Sequence, residues 1–279
     1  MNWKKALKIA LPVAGACVAA AAAAAFLIAP EKPDEKKKAP FLGRNIAHRG
    51  LHSADGSVPE NSLPAFRAAV EAGYGVEFDV HLTADGGLVV FHDDDLKRMC
   101  GADIALESLR SDELRKYRLG DTQEHIPTLG EVLGVIGGET PIILELKRGH
   151  NDRELCIRTR DMLRAYRGDV CIESFDPRIV RWWRKHAPEY LRGQLSCVRD
   201  RFGGSTSRLQ AFLLSNLLTN FLSRPHFVAY GLTPKKPLTV RLCEAMGAMR
   251  VAWTSHEPSS EKRNDTVIFE FYRPAKRYR

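Results

Sequence analysis

Two acidic residues stand two apart in an otherwise apolar run, Val76-Glu77-Phe78-Asp79-Val80. In an extended strand alternate side chains share a face, so Glu77 and Asp79 point together while Val76, Phe78 and Val80 point away. Paired carboxylates repel, and a shared divalent cation relieves the repulsion; hard Mg²⁺ or Ca²⁺ prefers all-oxygen ligands of this kind. A third carboxylate, Glu145, interrupts Ile142-Ile143-Leu144-Glu145-Leu146-Lys147, where an unpaired charge in a buried strand is costly. The competing reading of Glu145 is a structural ion pair with an Arg or Lys inside the fold.

Lys147 follows Glu145 by two residues and shares its face, so a carboxylate for a metal and an ammonium for a phosphate lie side by side. Arg49 offers a second, forked phosphate donor. His48 and His92 each end an apolar run beside charged neighbours, and imidazoles titrating near neutrality suit general acid and base work at such a site. An isolated histidine is usually structural; the catalytic reading rests on the company these two keep. His81 shares the face of Glu77 and Asp79 but lies further out and is a weaker candidate. His52 and His125 lack such neighbours and read as loop or insertion residues.

These side chains converge only if the segments carrying them are parallel strands of one sheet. From residue 45 onward short β-rich runs alternate with amphipathic stretches, the pattern of a parallel α/β fold. Strands are predicted at 45–49, 75–82, 141–147, 169–175, 192–197, 227–231, 250–255 and 266–271, and helices at 62–72, 129–136, 153–166, 177–186, 208–222 and 238–246. The first helix is expected to be capped by Asn61 or Ser62. Eight strands and about 250 residues describe a TIM (β/α)8 barrel, whose sites lie at the C-terminal ends of the strands. Residues 88–92 are predicted to form a rim hairpin with 75–82 across Ala84-Asp85-Gly86-Gly87, and 93–127 a small rim insertion.

With 44% hydrophobic and 27% charged residues, the chain has the composition of a globular protein with a sizeable core. The net charge of +8 raises nucleic acid, anionic membranes and acidic substrates as partners. Its basic residues are scattered, without the aromatic platform or recognition helix that would point to specific nucleic-acid binding. The six cysteines are dispersed, with no C-x-x-C pair, and read as buried small apolar residues.

After Lys4, Lys5 and Lys8, residues 9–29 carry no charge, about the length needed to cross a bilayer as a helix. The first thirty residues are therefore read as a transmembrane anchor, with a cleaved signal peptide, a lipoprotein signal ending at Cys17 and a buried helix as alternatives. Residues 31–40 read as a charged linker, and 41–279 as the catalytic domain. A single-pass cell-membrane protein with an extracytoplasmic domain is the expected localisation, the charge asymmetry across the span being slight.

Ala47-His48-Arg49-Gly50, Pro59-Glu60-Asn61-Ser62, Glu77-Phe78-Asp79-Val80, Thr83-Ala84-Asp85-Gly86, Val89-Val90-Phe91-His92-Asp93 and Leu144-Glu145-Leu146-Lys147, in this order and spacing, resemble the glycerophosphodiester phosphodiesterase family. The resemblance continues more faintly through Ile126-Pro127-Thr128-Leu129, Glu173-Ser174-Phe175 and Trp253-Thr254. It implies that Glu77, Asp79 and Glu145 bind one divalent cation, Ca²⁺ or Mg²⁺, that His48 and His92 are the acid and base pair, and that Arg49 and Lys147 hold the phosphate. Glu60 and Asn61 would shape the same pocket. Phe175 and Trp253 would wall it, ordinary packing being the alternative. The implied reaction is hydrolysis of a glycerophosphodiester to glycerol 3-phosphate and an alcohol, either through a cyclic phosphate formed by the glycerol 2-hydroxyl or by direct attack of water.

The chain departs from the family where Val267-Ile268-Phe269-Glu270-Phe271 replaces an ending in Thr-Asp, and where the stretch between Trp253 and Thr266 is too short for a normal helix. Both put the closing edge of the barrel in question. Action on a phospholipid or lysophospholipid headgroup is the competing enzymatic reading, since relatives of the fold include such lipases. A membrane-anchored, non-catalytic barrel is the reading from another class.

Overall fold

Each of the apolar runs becomes a strand because both its faces are buried, one inside a barrel and one beneath helices. In the computed structural model, which describes residues 18–203 and 206–278, eight parallel strands close on themselves. They are β1 (Arg44–His48), β2 (Gly75–Leu82), β4 (Ile142–Leu146), β5 (Val170–Ser174), β6 (Leu191–Ser196), β7 (Phe227–Gly231), β8 (Met249–Ser255) and β9 (Thr266–Phe269). The circle is completed by β1, which pairs with β2 at His48–Glu77 and with β9 at Ala47–Phe269. A short strand β3 (Leu88–Val90) runs back antiparallel along the C-terminal end of β2, the predicted hairpin.

Side chains alternate as the pleat requires. Phe41 plugs the base of the barrel among Ile143, Cys171, Leu191, Phe227 and Met249. The outward set, including Phe78, Val80, Leu144, Leu146 and Ile172, packs against helices. Gly193 in β6 is a packing requirement, because a Cβ there would stand 2.0 Å from the Phe227 ring.

The main helices are α1 (Leu63–Glu71), α2 (Leu129–Ile136), α3 (Asp152–Leu163), α4 (Pro177–His186), α5 (Arg208–Ser215) and α6 (Leu238–Ala245). Ser62 caps α1 through the Ala65 N–H, and Thr128 and Glu131 form a reciprocal capping box on α2. The predicted helix at 208–222 is broken. α5 stops at Ser215, Leu217 turns the chain at φ +56°, and a second short helix covers Asn220–Ser223. The break lets Leu217 drop into a cluster with Val228, Tyr230 and Val240, while the Asn216 side chain satisfies the Phe212 carbonyl at 2.9 Å.

Between β3 and α2 the rim insertion folds around its own small core of Val89, Phe91, Leu96, Leu106, Leu114, Leu119 and Ile126. The closing edge behaves as its length dictates. Only a 3₁₀ turn at Pro258–Lys262 connects β8 to β9, and the pairing slips between Ala252 and Ser255, yet β9 still pairs with β1 over four residues. Cys156, Cys171, Cys197 and Cys243 are buried free thiols, as their dispersal suggested, whereas Cys100 in the rim insertion is only half-buried and Cys17 lies outside the described residues.

Residues 18–28 form a helix whose side chains are mostly exposed; the remainder of the apolar run, 9–17, lies outside the described residues. Among the described residues no helix is long and apolar enough to cross a membrane. The segment that follows is docked on the base of the barrel. Glu31 meets the buried Arg192 guanidinium at 2.6 Å, its N–H donates to the Pro225 carbonyl at 3.1 Å, and Asp34 caps a helical turn at Glu35–Lys38.

Candidate metal and phosphate site

The barrel mouth gathers the residues singled out by type and spacing. Glu77 and Asp79 point inward from β2, and Glu145 does so from β4, where it is the register partner of Asp79. All three are buried, and one carboxylate oxygen from each lies within 4.8 Å of the others. Burial first, then the charges of Asp79, Glu173 and Glu145, pushes the Glu77 carboxyl well above the usual carboxylate range. Burial raises Glu145 as well, with Lys147 opposing. Asp79 goes the other way: burial disfavours its charge, but Lys147, His92, Arg49 and the Asn61 amide outweigh that and hold it ionised.

The cationic side chains enclose the cradle. Lys147 Nζ lies 3.0 Å from Glu145 and 3.3 Å from Asp79, and burial, which would lower its pKa, is outweighed by these two carboxylates. The turn after β1 puts Arg49 at φ +53° and Gly50 at +79°, so the Arg49 N–H donates to Glu77 at 3.1 Å. A Cβ on Gly50 would lie 2.9 Å from Ala65, which is why a glycine lets the chain turn against α1 here. The Arg49 side chain spans Glu60 at 2.7 Å and Asp79 at 3.5 Å. Asn61, also at positive φ, donates to Asp79 at 3.0 Å, so Glu60 and Asn61 both belong to the site.

His48 ends β1 with Nε2 3.9 Å from Glu77 and Nδ1 3.1 Å from Glu270. Burial lowers its pKa despite the Glu270 hydrogen bond, which leaves a neutral imidazole at neutral pH. His92 stands across the mouth at the end of the hairpin, its Nδ1 2.7 Å from Asp93. Phe175 and Trp253 meet edge to face at 5.6 Å on the β5 and β8 side, and Trp253 is pinned by its Nε1–H to the Ala229 carbonyl at 3.0 Å. His81 is buried behind His92, 3.8 Å from Glu107 and away from the carboxylate cradle.

Two residues belong here that residue type and spacing did not single out. Glu270 sits at the last strand end, in the segment that departs from the family pattern, and its Oε1 takes both His48 and His52. His52 is therefore part of the site's outer layer and not a free loop residue. Glu173 is 1% exposed, is the β5 partner of Glu145, and has an Oε2 without a hydrogen-bond partner among the described residues. The signal for both was present: each is an acid at the end of an apolar strand. His125 lies in the insertion near Glu131 at 3.6 Å, as expected.

Three converging carboxylates with raised and lowered affinities for protons are better satisfied by a divalent cation than by each other, and all-oxygen donors suit Ca²⁺ or Mg²⁺. Glu173, next to Glu145 in the sheet and sensing the charges of Glu145 and Asp79, keeps a buried carboxyl oxygen without a partner among the described residues beside this cradle. A (β/α)8 barrel with this cradle, bordered by the cations Lys147 and Arg49, has the make-up of a metal-dependent hydrolase site suited to an anionic substrate.

Comparison with known proteins narrows the class. The glycerophosphoryl diester phosphodiesterase family profile matches residues 48–269. A glycerophosphodiester phosphodiesterase of Caldanaerobacter subterraneus is 38% identical over 224 residues, covering 75% of this chain and 84% of that protein. The structure of an Oleispira antarctica phosphodiesterase in complex with the product sn-glycerol-3-phosphate superimposes with a TM-score of 0.66 at 26% identity, covering 82% of this chain and 93% of that one. A lysophospholipase D of Rattus norvegicus is 35% identical over 130 residues, 42% of this chain and 40% of that protein. The chain belongs to the glycerophosphoryl diester phosphodiesterase family and is a phosphoric diester hydrolase.

Proposed function

We propose that the chain hydrolyses glycerophosphodiesters to glycerol 3-phosphate and an alcohol, with one divalent cation, Ca²⁺ or Mg²⁺, held by Glu77, Asp79 and Glu145. The observation that carries this reading is the carboxylate cradle with its oxygens within 4.8 Å, bordered by Lys147 and Arg49. When bound, the cation polarises the phosphoryl oxygens. Lys147 and Arg49 then bind the phosphate and fix its orientation.

His48 is the base and His92 the acid. His48 Nε2 faces the cradle while Glu270 occupies Nδ1, so Nε2 takes the proton of the attacking hydroxyl as the new P–O bond forms. His92, oriented by Asp93, gives a proton to the leaving oxygen as the ester P–O bond breaks. With the glycerol 2-hydroxyl as nucleophile the first product is a cyclic phosphate, which water opens with the two histidines in exchanged roles; direct attack by water gives the same final products. Phe175 and Trp253 wall the glycerol side of the pocket, and Glu60 and Asn61 hold Arg49 and Asp79 in place.

Release of glycerol 3-phosphate from glycerophosphocholine and glycerophosphoethanolamine by the full chain, abolished by EDTA and restored by Ca²⁺ or Mg²⁺, tests the reaction and selects the cation. Folded protein with no turnover of either substrate under any cation would remove this reading. The resemblance to a lysophospholipase D over 130 residues supports a second substrate class, the lysophospholipids, which the same assay tests by headgroup release.

The uncharged run 9–29 preceded by Lys4, Lys5 and Lys8 supports a single-pass anchor in the cell membrane with the barrel on the extracytoplasmic side. Protease added to intact cells would then digest the barrel; its protection would place the domain on the other side.

A further inference from the structure

We propose that the flank of the barrel formed by α5, the short helix Asn220–Ser223 and α6 lies flat against an anionic lipid bilayer. The inference rests on the reading of residues 9–29 as a membrane anchor and adds to it an orientation of the catalytic domain.

Eleven large apolar side chains are exposed among the described residues, and they are not scattered. Six lie on this flank: Leu209 and Phe212 on α5, Phe221 on the short helix, and Leu238, Leu242 and Met246 on α6, with Leu209 and Leu238 67% and 65% exposed. Leu238, Leu242 and Met246 recur every four residues and form one stripe down α6. Two more, Val18 and Phe26, belong to the N-terminal helix. Isolated exposed apolar residues are ordinary, whereas a contiguous set marks an interaction surface.

The two helices are neighbours. Thr239 reaches Asn216 at 3.3 Å, and Leu217, Val228 and Val240 share a buried cluster beneath them. Both follow the C-terminal ends of their strands and return to the base, so the stripe runs from the rim of the mouth to the base of the barrel. At the base it meets the N-terminal helix: the Phe26 and Phe221 rings are 6.3 Å apart, and the Arg224 guanidinium lies 4.6 Å over Phe26. The described helix 18–28 therefore ends against this flank.

Charge selects the occupant. Residues 207–248 carry Arg208, Arg224, Lys235, Lys236 and Arg241 against a single acid, Glu244, the mixture of apolar and basic residues that holds a surface at an anionic headgroup layer. Further round the barrel, beyond α4, α3 presents Glu154, Arg158, Asp161 and Arg164 to solvent in ion pairs, a surface with no such preference. With the flank on the bilayer, the barrel axis lies along the membrane and the mouth opens at headgroup level.

The test uses the full chain reconstituted in vesicles of phosphatidylethanolamine and phosphatidylglycerol. Single fluorescent labels are placed at Leu209→Cys, Leu242→Cys and, on α3, Arg164→Cys, with Cys17 and Cys100 replaced by serine. A nitroxide carried on the lipid acyl chain should quench the labels at 209 and 242 roughly twofold or more above the label at 164, because a surface-lying helix buries its apolar face about 5–10 Å deep. Flotation with the vesicles but equal quenching at all three positions would overturn the docking and leave the anchor standing. Labels at 209 and 242 shielded from aqueous iodide yet untouched by the lipid nitroxide would assign the face to a second copy and overturn the proposal. A chain that fails to float overturns the anchor and the orientation with it.

Discussion

Glu270 accepts from His48 Nδ1 at 3.1 Å, and the same oxygen meets His52 Nε2 at 2.9 Å. A carboxylate only accepts, so the shared contact places the His48 proton on Nδ1 and leaves Nε2 free toward Glu77. Burial would raise the Glu270 pKa, but the hydrogen bonds from His48 and His52 outweigh it and keep the group ionised. The residue at which the chain departs from its family's closing pattern thus sets the tautomer of the proposed base.

Glu270→Gln is therefore expected to lower kcat about 10- to 100-fold, with KM and cation affinity little changed. The amide still fits but no longer stabilises the imidazolium formed in the reaction. Steady-state kinetics beside a cation titration check this; an unchanged kcat would reduce Glu270 to packing.

Glu77→Ala should abolish cation binding and activity while the apoprotein stays folded, because the carboxylate is buried among like charges and contributes little to the empty fold. His48→Ala should cost about 10²- to 10⁴-fold in turnover yet keep the cation. In wild type and His48→Ala, but not in Glu77→Ala, cation at about a hundredfold over its Kd should stabilise by about 2.7 kcal/mol, read as a rise in Tm. An unfolded Glu77→Ala protein would instead make Glu77 a structural partner of Arg49.

The convergence of Glu77, Asp79, Glu145 and Lys147 was legible from sequence because strand alternation is a strict rule: Glu77 with Asp79, and Glu145 with Lys147, must share a face. All eight barrel strands follow from the same apolar runs. What was not legible depended on contacts across the barrel. His52 looks like a loop residue until the β9 end brings Glu270 to it, 218 positions away. The break after α5 depends on the packing of Leu217 against Val228 and Tyr230 of β7 and Val240 of α6, a tertiary contact that the local apolar pattern does not show. Glu31 is one charge in a charged segment until Arg192 meets it.

Glu173 adds a fourth carboxyl to the mouth, raised well above its usual range first by burial and then by Glu145 and Asp79. Its Oε2 has no partner among the described residues, and a cation in the cradle would offset the neighbouring negative charges that keep it protonated, so that Glu173 would ionise with cation binding and strengthen it. Glu173→Gln should weaken Ca²⁺ or Mg²⁺ binding by about tenfold without loss of folding. Calorimetric titration of the two proteins decides; equal affinities would leave Glu173 a buried acid with no part in holding the cation.

At the base of the barrel, His226 couples the docked N-terminal segment to pH. Burial lowers its pKa to about 4, with Arg192 adding to the shift and Glu31 opposing it. Its Nδ1 accepts the Arg192 N–H at 3.2 Å, a contact that protonation of that nitrogen removes. The folded pKa lies below the unfolded value of about 6.5, so between these values the unfolded chain binds more protons. Stability from this group is complete above about pH 6.5 and is lost as the pH falls toward 4, reaching about 2 kcal/mol by pH 5. Urea midpoints at pH 7.5 and 5.0 should therefore separate further in the wild type than in His226→Gln, which cannot titrate. Equal separations would mean that His226 takes up its proton as readily in the folded chain as in the unfolded one, and that the Glu31–Arg192 contact holds the segment independently of pH.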